Sequence, residues 1–590
     1  MRLPQIVRFG PRRTWARPGD VVAVDAEVRL APGQGAALTV TLLDLDRELT
    51  SVRRSVLAAP RSPRAVPLRH TVELMLPPAP RHGYGLSLRV QAGGRTLVSS
   101  SAIEAIDGWW QSPRHAAITE FRDSEASARA VRDLAAWHVT VVQHYDWMWR
   151  HYRYEPPGGV ERFRDALGRE VSHSAVRSAI AAGHEVGLAS LAYGSVYGAE
   201  PEYVQRHPEE RVFDDHGEPL SLGGTFFITD LRPGSPWRRR LLREYRAAIR
   251  GFRFDGIHMD TYGRPHRALS ADGERLELAD LYPGLIDEAS RSLSEVRADA
   301  RVLFNCVEGF PLGSVAASPT ASLYLELWPR DRSFADVVRW IERALAVAEG
   351  RQVVVAAYAA ALRDVTPGDP RRDGAFEATL LLGSIIIAAG AYHHTIAEGG
   401  RLLVEGYYPA AVPMRAAERR GLRALWTFSA RYLHLLSDRG RVPADLAGLL
   451  IRDHEGHIVR TAERPVAGAI WVTASQLTDG RRVLHVVDLR GQTDDAWDEP
   501  KVPARTVSGF ELEWPGLRDP IASSPWSRRG DCLRLRSPSA AGATWRLPTF
   551  RRWLLITEAG AEGPSRRCRA GRVSPAPGTV MGGGLRRTAR

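Results

Sequence analysis

Two acidic residues, Asp260 and Glu326, offer the most chemistry in this chain. Asp260 lies within Gly251-Phe252-Arg253-Phe254-Asp255-Gly256-Ile257-His258-Met259-Asp260-Thr261-Tyr262-Gly263. Phe252, Phe254, Ile257 and Met259 suit a short strand buried in a sheet, and the sequence then turns abruptly polar. A rigid strand ending this way delivers one carboxylate to a loop-lined rim, where a polar reaction on a bulky substrate needs it. Glu326 closes a second apolar run, Ser322-Leu323-Tyr324-Leu325. Two acids flanking a glycosidic bond suffice to cleave it, provided that one is ionised and the other protonated near neutral pH. The plain alternative for Asp260 is a cap on the next turn or helix. Glu308, beside Gly309, is either a competing second acid or loop surface.

Around these two the sequence supplies residues that recognise sugars: aromatic faces to stack on rings, and polar groups to bond their hydroxyls. Asp146 and Trp147 follow one apolar run, Tyr193 another, and His258 and Tyr262 flank Asp260. Asn305, Trp328, Tyr358, His393 and Glu405 follow later runs. All are candidate substrate contacts. Each has an ordinary alternative: Asp146 as a satisfied structural acid, the tryptophans as packing. The pair His393-His394 has no His-x-His or Glu-x-x-His partner pattern, so no metal is expected. No cofactor is needed for acid/base cleavage.

These residues share a rim only if the strands that carry them form one sheet. Short apolar runs at 117–121, 139–144, 185–191, 256–259, 302–307, 322–325, 353–357 and 385–389 read as eight strands. Amphipathic stretches at 124–137, 172–182, 236–250, 283–298 and 334–348 read as helices between them. The alternation predicts a central (β/α)8 TIM barrel over 106–436, with polar residues after each strand on one face. The long connection 197–236 is expected to be a lid or subsite loop. Residues 1–105 show alternating runs (21–29, 37–43, 70–76, 84–90) between Pro/Gly turns and predict an immunoglobulin-like β-sandwich. Runs at 469–475, 482–488, 532–535 and 545–555 predict a C-terminal β-sandwich over 437–560. Residues 561–590, rich in Arg, Gly, Pro and Ser, are expected to be a disordered basic tail.

Composition bounds the partners. The chain has 590 residues, 44% of them hydrophobic, and a net charge of +12. Lys501 is the only lysine, and arginines interleave with acids through most of the chain, which marks a solvated surface more than a nucleic-acid site. The three cysteines, Cys306, Cys532 and Cys568, form neither a metal pattern nor a disulfide framework. No apolar run spans a bilayer; 380–391 comes nearest and is punctuated by Gly383, Ser384 and Gly390. The first ten residues lack the apolar core of a secretory signal, which predicts a cytoplasmic location. The expected partner is a carbohydrate, with no nucleic acid and no membrane, and the expected state is a monomer.

The order of several motifs resembles glycoside hydrolase family 66, the dextranases and cycloisomaltooligosaccharide glucanotransferases. The motifs are Tyr145-Asp146-Trp147-Met148 with Arg150-His151, Leu191-Ala192-Tyr193 with Tyr197-Gly198-Ala199, and Phe254-Asp255-Gly256 with Asp260 and Gly263. Leu323-Tyr324 with Glu326-Leu327-Trp328, and Glu405-Gly406-Tyr407-Tyr408-Pro409, complete the set. The resemblance covers the barrel and, less closely, the flanking sandwiches. It implies a retaining endo-glycosidase acting on α-1,6-glucan (polysaccharide or oligosaccharide), with Asp260 as nucleophile, Glu326 as acid/base and Asp146 holding the sugar. Glu308 stands where the family pattern leads one to expect an asparagine-like residue. The glucanotransferases carry a carbohydrate-binding insertion in the barrel that this chain is too short there to hold, which favours hydrolysis. The family is largely exported, against the location read from the N-terminus.

Three rivals remain: a glucanotransferase, a non-catalytic glucan-binding protein on the same scaffold, and a metal-dependent barrel hydrolase built on His258, Asp260 and His393.

Overall fold

The computed structural model describes residues 4–59, 67–527, 532–537 and 544–559. The expected basic tail, with Cys568, lies outside the described residues.

The centre of the molecule is a TIM-like parallel barrel. Strands β1 (His115–Ile118), β2 (Val141–His144), β3 (Ala189–Ser195), β4 (Gly256–Asp260), β5 (Arg301–Val307), β6 (Thr320–Leu327), β7 (Val353–Ala357) and β8 (Tyr392–His394) pair in chain order. After Thr395 the two-residue strand Ile396–Ala397 pairs in parallel with β1, so the hydrogen-bond ladder runs all the way round. The helices are α1 (Ser124–Leu134), α2 (His173–Glu185), α3 (Pro236–Phe252), α4 (Leu278–Ser294), α5 (Phe334–Ala346), α6 (Arg372–Ala388) and α7 (Ala416–Arg431). Their starts follow capping chemistry. Asp123, Ser172, Ser235 and Ser333 each accept a backbone N–H of the first turn, and Asp336 completes a capping box with Ser333.

Strand alternation explains which residues reach the barrel interior. In β4, Ile257 and Met259 are fully buried in the main core, while His258 and Asp260 line the cavity at the barrel mouth. Register then aligns the acids. Asp260 pairs with Ser195 of β3, and Glu326 pairs with Val307 of β5 and Ala356 of β7.

Three sequence expectations are corrected. The run 385–389 is no strand: it is the last turn of α6, and β8 is the shorter Tyr392–His394. Nearly every residue of α6 is buried, so the helix carries no polar stripe to reveal its 3.6-residue period. The fourth barrel helix starts at Leu278, which places Pro283 inside it rather than at its head. The run 545–555 is two strands in different sheets, Thr544–Arg546 and Trp553–Glu558, with Pro548 between them. The connection 197–236 is more ordered than a loop. It contains the helix Pro201–Arg206 and a three-stranded sheet of Gly198–Ala199, Phe226–Ile228 and Ser221–Leu222.

The N-terminal strands form a three-stranded sheet (Gln5–Pro11, Val21–Arg29, Pro67–Met75) and a five-stranded sheet that share one apolar core. Val22, Val24, Ala26 and Val28 alternate into it. Arg47–Leu57 pairs along the edge of the larger sheet and is mostly exposed, so it lacks the alternation by which the other strands are recognised. The larger sheet rests on α7: a Cβ at Gly83 would lie 2.1 Å from the Ala430 carbonyl, so only glycine admits this approach. The C-terminal strands form a second pair of sheets around Ile470, Leu484, Leu512 and Leu554. They cover α6, where Arg552 grips the buried Glu377. Among the described residues no helix is long and apolar enough to cross a membrane.

Candidate active site

The C-terminal ends of the barrel strands open into one cavity of about 600 Å³. Asp146, Tyr193, His258, Asp260, Tyr262, Asn305, Glu308, Glu326, Trp328, Tyr358 and Glu405 all line it. Residues of strands β2 to β6, Tyr358 just after β7 and Glu405 to Tyr408 from the connection beyond β8 thus meet at a single mouth.

Asn305 organises the centre. Its Nδ2 donates to Asp260 Oδ1 at 2.7 Å and to Glu326 Oε2 at 2.6 Å. Laid end to end, those two bonds limit the separation of the carboxylate oxygens to 5.3 Å. Each acid has a second donor on its other oxygen: the Tyr193 hydroxyl bonds Asp260 Oδ2 at 2.9 Å, and the Tyr358 hydroxyl bonds Glu326 Oε1 at 2.7 Å. Glu326 is 8% exposed and Asp260 is half-buried. Burial raises the pKa of both carboxyls above the usual range, and for Asp260 the facing Glu326 charge adds to it. Donation from Tyr193, Tyr358 and Asn305 opposes the rise. Two acids this close titrate as a pair that shares a proton.

A second charged group holds one wall. Asp146 follows β2 in a left-handed conformation (φ 45°), uncommon for a residue with a side chain, which turns its carboxylate into the cavity. Arg169 approaches that carboxylate at 3.3 Å and His151 at 3.7 Å. His151 also lies 2.9 Å from Glu200. Burial alone would depress the imidazole, but the Glu200 and Asp146 charges outweigh it and raise its pKa to about 10. His151 is therefore a cation at neutral pH, and Asp146 is flanked by two positive charges. His258, at the cavity floor, goes the other way: burial lowers it to about 3, so it is neutral.

Aromatic rings frame the opening. Tyr145 lies 4.7 Å from Tyr408 and 5.1 Å from Tyr193, and Trp328 lies 5.4 Å from Tyr358, centroid to centroid. Glu405 and Glu308 sit further out, beside Arg363 at 3.4 Å and Arg330 at 3.6 Å respectively. Glu308 thus occupies the rim, while Glu326 holds the bond to Asn305.

Two expected contacts do not reach the cavity. Trp147 is fully buried beneath it, packed on Tyr154, Phe252 and Phe254, with its indole N–H bonded to the Tyr193 carbonyl at 3.2 Å. The turn at Asp146 that aims the acid inward sends the next side chain the opposite way. His393 lies on the outer face of β8, where its Nε2 donates to the Ala357 carbonyl at 2.7 Å. It therefore cannot join His258 and Asp260 around a metal. Among the described residues, the side-chain clusters able to hold a metal ion include no residue of the cavity.

Sequence reading left Arg169 and His151 without a role. Arg169 comes from the β2–α2 connection, twenty-three positions after Asp146, and nothing local in its surroundings marks it. His151 sits in the Tyr145–His151 stretch that carries the family resemblance; its meaning depends on Glu200, which only the fold brings near. Gln143, Tyr408 and Phe226 also line the cavity.

Comparison with known proteins agrees with this architecture. The model of the family described as glycosyl hydrolase family 66 matches residues 14–508. Two cycloisomaltooligosaccharide glucanotransferases of Niallia circulans are 26% identical over 364 and 365 residues, 58% of this chain and 37% of each relative. The match therefore spans little more than a third of those relatives' length. A crystal structure of a Paenibacillus sp. cycloisomaltooligosaccharide glucanotransferase complexed with cycloisomaltoheptaose superposes with a TM-score of 0.84 at 17% identity. That superposition covers 94% of this chain and 100% of the other, and it is a likeness of fold.

Proposed function

The chain belongs to glycosyl hydrolase family 66, and from that premise we propose that it cleaves α-1,6-glucan by double displacement, with Asp260 as nucleophile and Glu326 as acid/base. The observation that carries the proposal is the Asn305 bridge, which keeps the two carboxylate oxygens within 5.3 Å. Retaining glycosidases hold their carboxyl groups about 5–5.5 Å apart, whereas inverting ones need about 6.5–9.5 Å to admit water between acid and sugar.

Burial raises both carboxyls and the facing Glu326 charge raises Asp260 further, so the pair enters the reaction with one proton between them. The proposed roles require that proton on Glu326 and the charge on Asp260 once the sugar is bound. Asp260 attacks the anomeric carbon as the bond from that carbon to the leaving O6 breaks, and Glu326 transfers its proton to O6. The product is a β-glycosyl ester of Asp260. Glu326, now ionised, takes a proton from an incoming hydroxyl, whose oxygen attacks the same carbon from the opposite side and releases Asp260. The new bond has the α configuration of the old one. Asp146, fixed between Arg169 and His151, accepts hydroxyl hydrogen bonds from the sugar in the cleavage subsite, and the tyrosines supply stacking faces.

The second reading, a glucanotransferase, differs only in the incoming hydroxyl: the sugar O6–H of another glucan end replaces water. The activity named for the relatives favours it, and the faces of Tyr145, Tyr408, Trp328 and Tyr358 at the cavity are suited to seating a second glucan end. Incubation with dextran, starch and pullulan, followed by chromatography and proton NMR of the first-formed anomers, tests both. Dextran cleavage with α-anomers is expected. Linear products identify a hydrolase, and cyclic or elongated ones a transferase. First-formed β-anomers, or cleavage of starch but not dextran, would overturn the proposal.

A further inference from the structure

Beside the catalytic cavity lies a second groove of about 900 Å³. The two are continuous: Leu222, Tyr262 and Arg264 line both. The groove's roof is the hairpin of Ser221–Leu222 and Phe226–Ile228. Its turn runs through Gly223 and Gly224 at φ 58° and 70°, a left-handed pair that glycine adopts freely. The hairpin tip presents Leu222 to solvent, 49% exposed, over the junction of the two spaces. On the opposite wall His266 lies flat on Phe310, with ring centroids 3.7 Å apart and planes 14° from parallel. His266 is exposed and Phe310 half-buried, so this stacked pair is a platform open to the groove and not part of a core. Asp214, Asp215, Arg264 and the Arg267–Glu277 pair add charged groups around it.

We propose that this groove is a saccharide subsite that holds glucosyl units of the same chain beyond those in the catalytic cavity. The inference rests on the function proposed above, because it takes the occupant of the catalytic cavity to be a glucan. The composition of the groove suits the continuation of that chain. A flat aromatic platform and an apolar tip meet the C–H faces of a sugar ring, and carboxylates with guanidinium groups meet its hydroxyls. A charged polymer would gain no such match from facing acids and bases together, and the shared Leu222–Tyr262–Arg264 border allows one chain to pass from cavity to groove without leaving the surface. The substrate chemistry this adds is length: the groove rewards long oligosaccharides over short ones.

Calorimetric binding of isomalto-oligosaccharides of three to seven glucosyl units to the Glu326→Gln protein tests it, since binding needs no turnover. Affinity is expected to rise with length. His266→Ala and Phe310→Ala, each added to Glu326→Gln, are expected to leave the three-unit ligand within twofold and to weaken the seven-unit ligand about tenfold, as the loss of about 1.4 kcal/mol of contact requires. His266 is a surface side chain, so its variant reads the subsite even where Phe310→Ala alters folding. Length-independent affinity, equal losses at every length or no effect of either substitution would overturn the proposal. Turnover of dextran by the unsubstituted protein reports separately: absent turnover with intact length-dependent binding would remove the catalytic reading and leave the subsite standing.

Discussion

At the scale of single residues, the site is a set of hydrogen bonds that assign charge. Tyr193 and Tyr358 donate to different acids, so their removal affects different limbs of the pH–rate profile. The Tyr193 hydroxyl stabilises ionised Asp260; Tyr193→Phe raises the Asp260 pKa, and the acid limb of kcat/KM moves to higher pH. The Tyr358 hydroxyl stabilises ionised Glu326; Tyr358→Phe raises that pKa, and the alkaline limb moves to higher pH. A hydrogen bond to a charged group is worth about 1.5–3 kcal/mol, so each limb should move by about one to two pH units. Profiles in which both variants move the same limb would show that Asp260 and Glu326 do not divide the work as nucleophile and acid/base. Asp260 was legible in the sequence because it ends an apolar run with an abrupt polar change, and Glu326 because it is the one acid in the apolar run from Leu323 to Trp328. The bridge through Asn305 was not, since it depends on three neighbouring strands being in register. Trp147 shows the converse: its type suited a sugar platform, but the positive φ of the residue before it, which sequence does not reveal, directs it into the core.

At the scale of elements, the loop after β2 is held by the buried charges of His151, Glu200, Asp146 and Arg169. The folded-state pKa of His151 lies well above its ordinary value, at about 10. Its stabilisation is therefore complete below about pH 6.5 and is lost as pH rises through 10. Glu200→Gln leaves that cation with one acid fewer. It should cost about 3 kcal/mol of stability at neutral pH and flatten the decline in stability between about pH 6.5 and 10. Denaturant unfolding at several pH values measures both, and an unchanged slope would show that the His151 cation does not hold this loop. Most barrel strands could be read from their runs of Val, Ile and Leu. The eighth could not, because it is three residues long and breaks at Thr395 before the chain pairs with β1, while the neighbouring α6 offers a longer apolar run. Arg169 enters the site from a connection rather than a strand end, so no apolar run beside it signals its place.

At the scale of the whole molecule, the barrel is clasped from both sides. Gly83 lets the N-terminal sheet meet the carbonyls at the end of α7, and Arg552 of the C-terminal sheets grips Glu377 of α6. The flanking sheets thus brace the last two barrel helices, which carry the strand and loop ending at Glu405 and Tyr408. Charge and composition said little about this arrangement; alternation within strands said more, and only the fold showed which helices the sheets cover. In the proposed mechanism, all of this holds Asp260 ready to form a covalent bond with a sugar. The sharpest test of that bond is a fluorinated isomaltosyl fluoride that forms the glycosyl ester but hydrolyses it slowly, given to the unsubstituted protein and followed by peptide mass spectrometry. A glycosyl adduct is expected on the peptide containing Asp260 and is expected to be absent from Asp260→Asn; an adduct on any other carboxylate, or turnover of the reagent with no adduct and inverted product, would rule out Asp260 as the nucleophile.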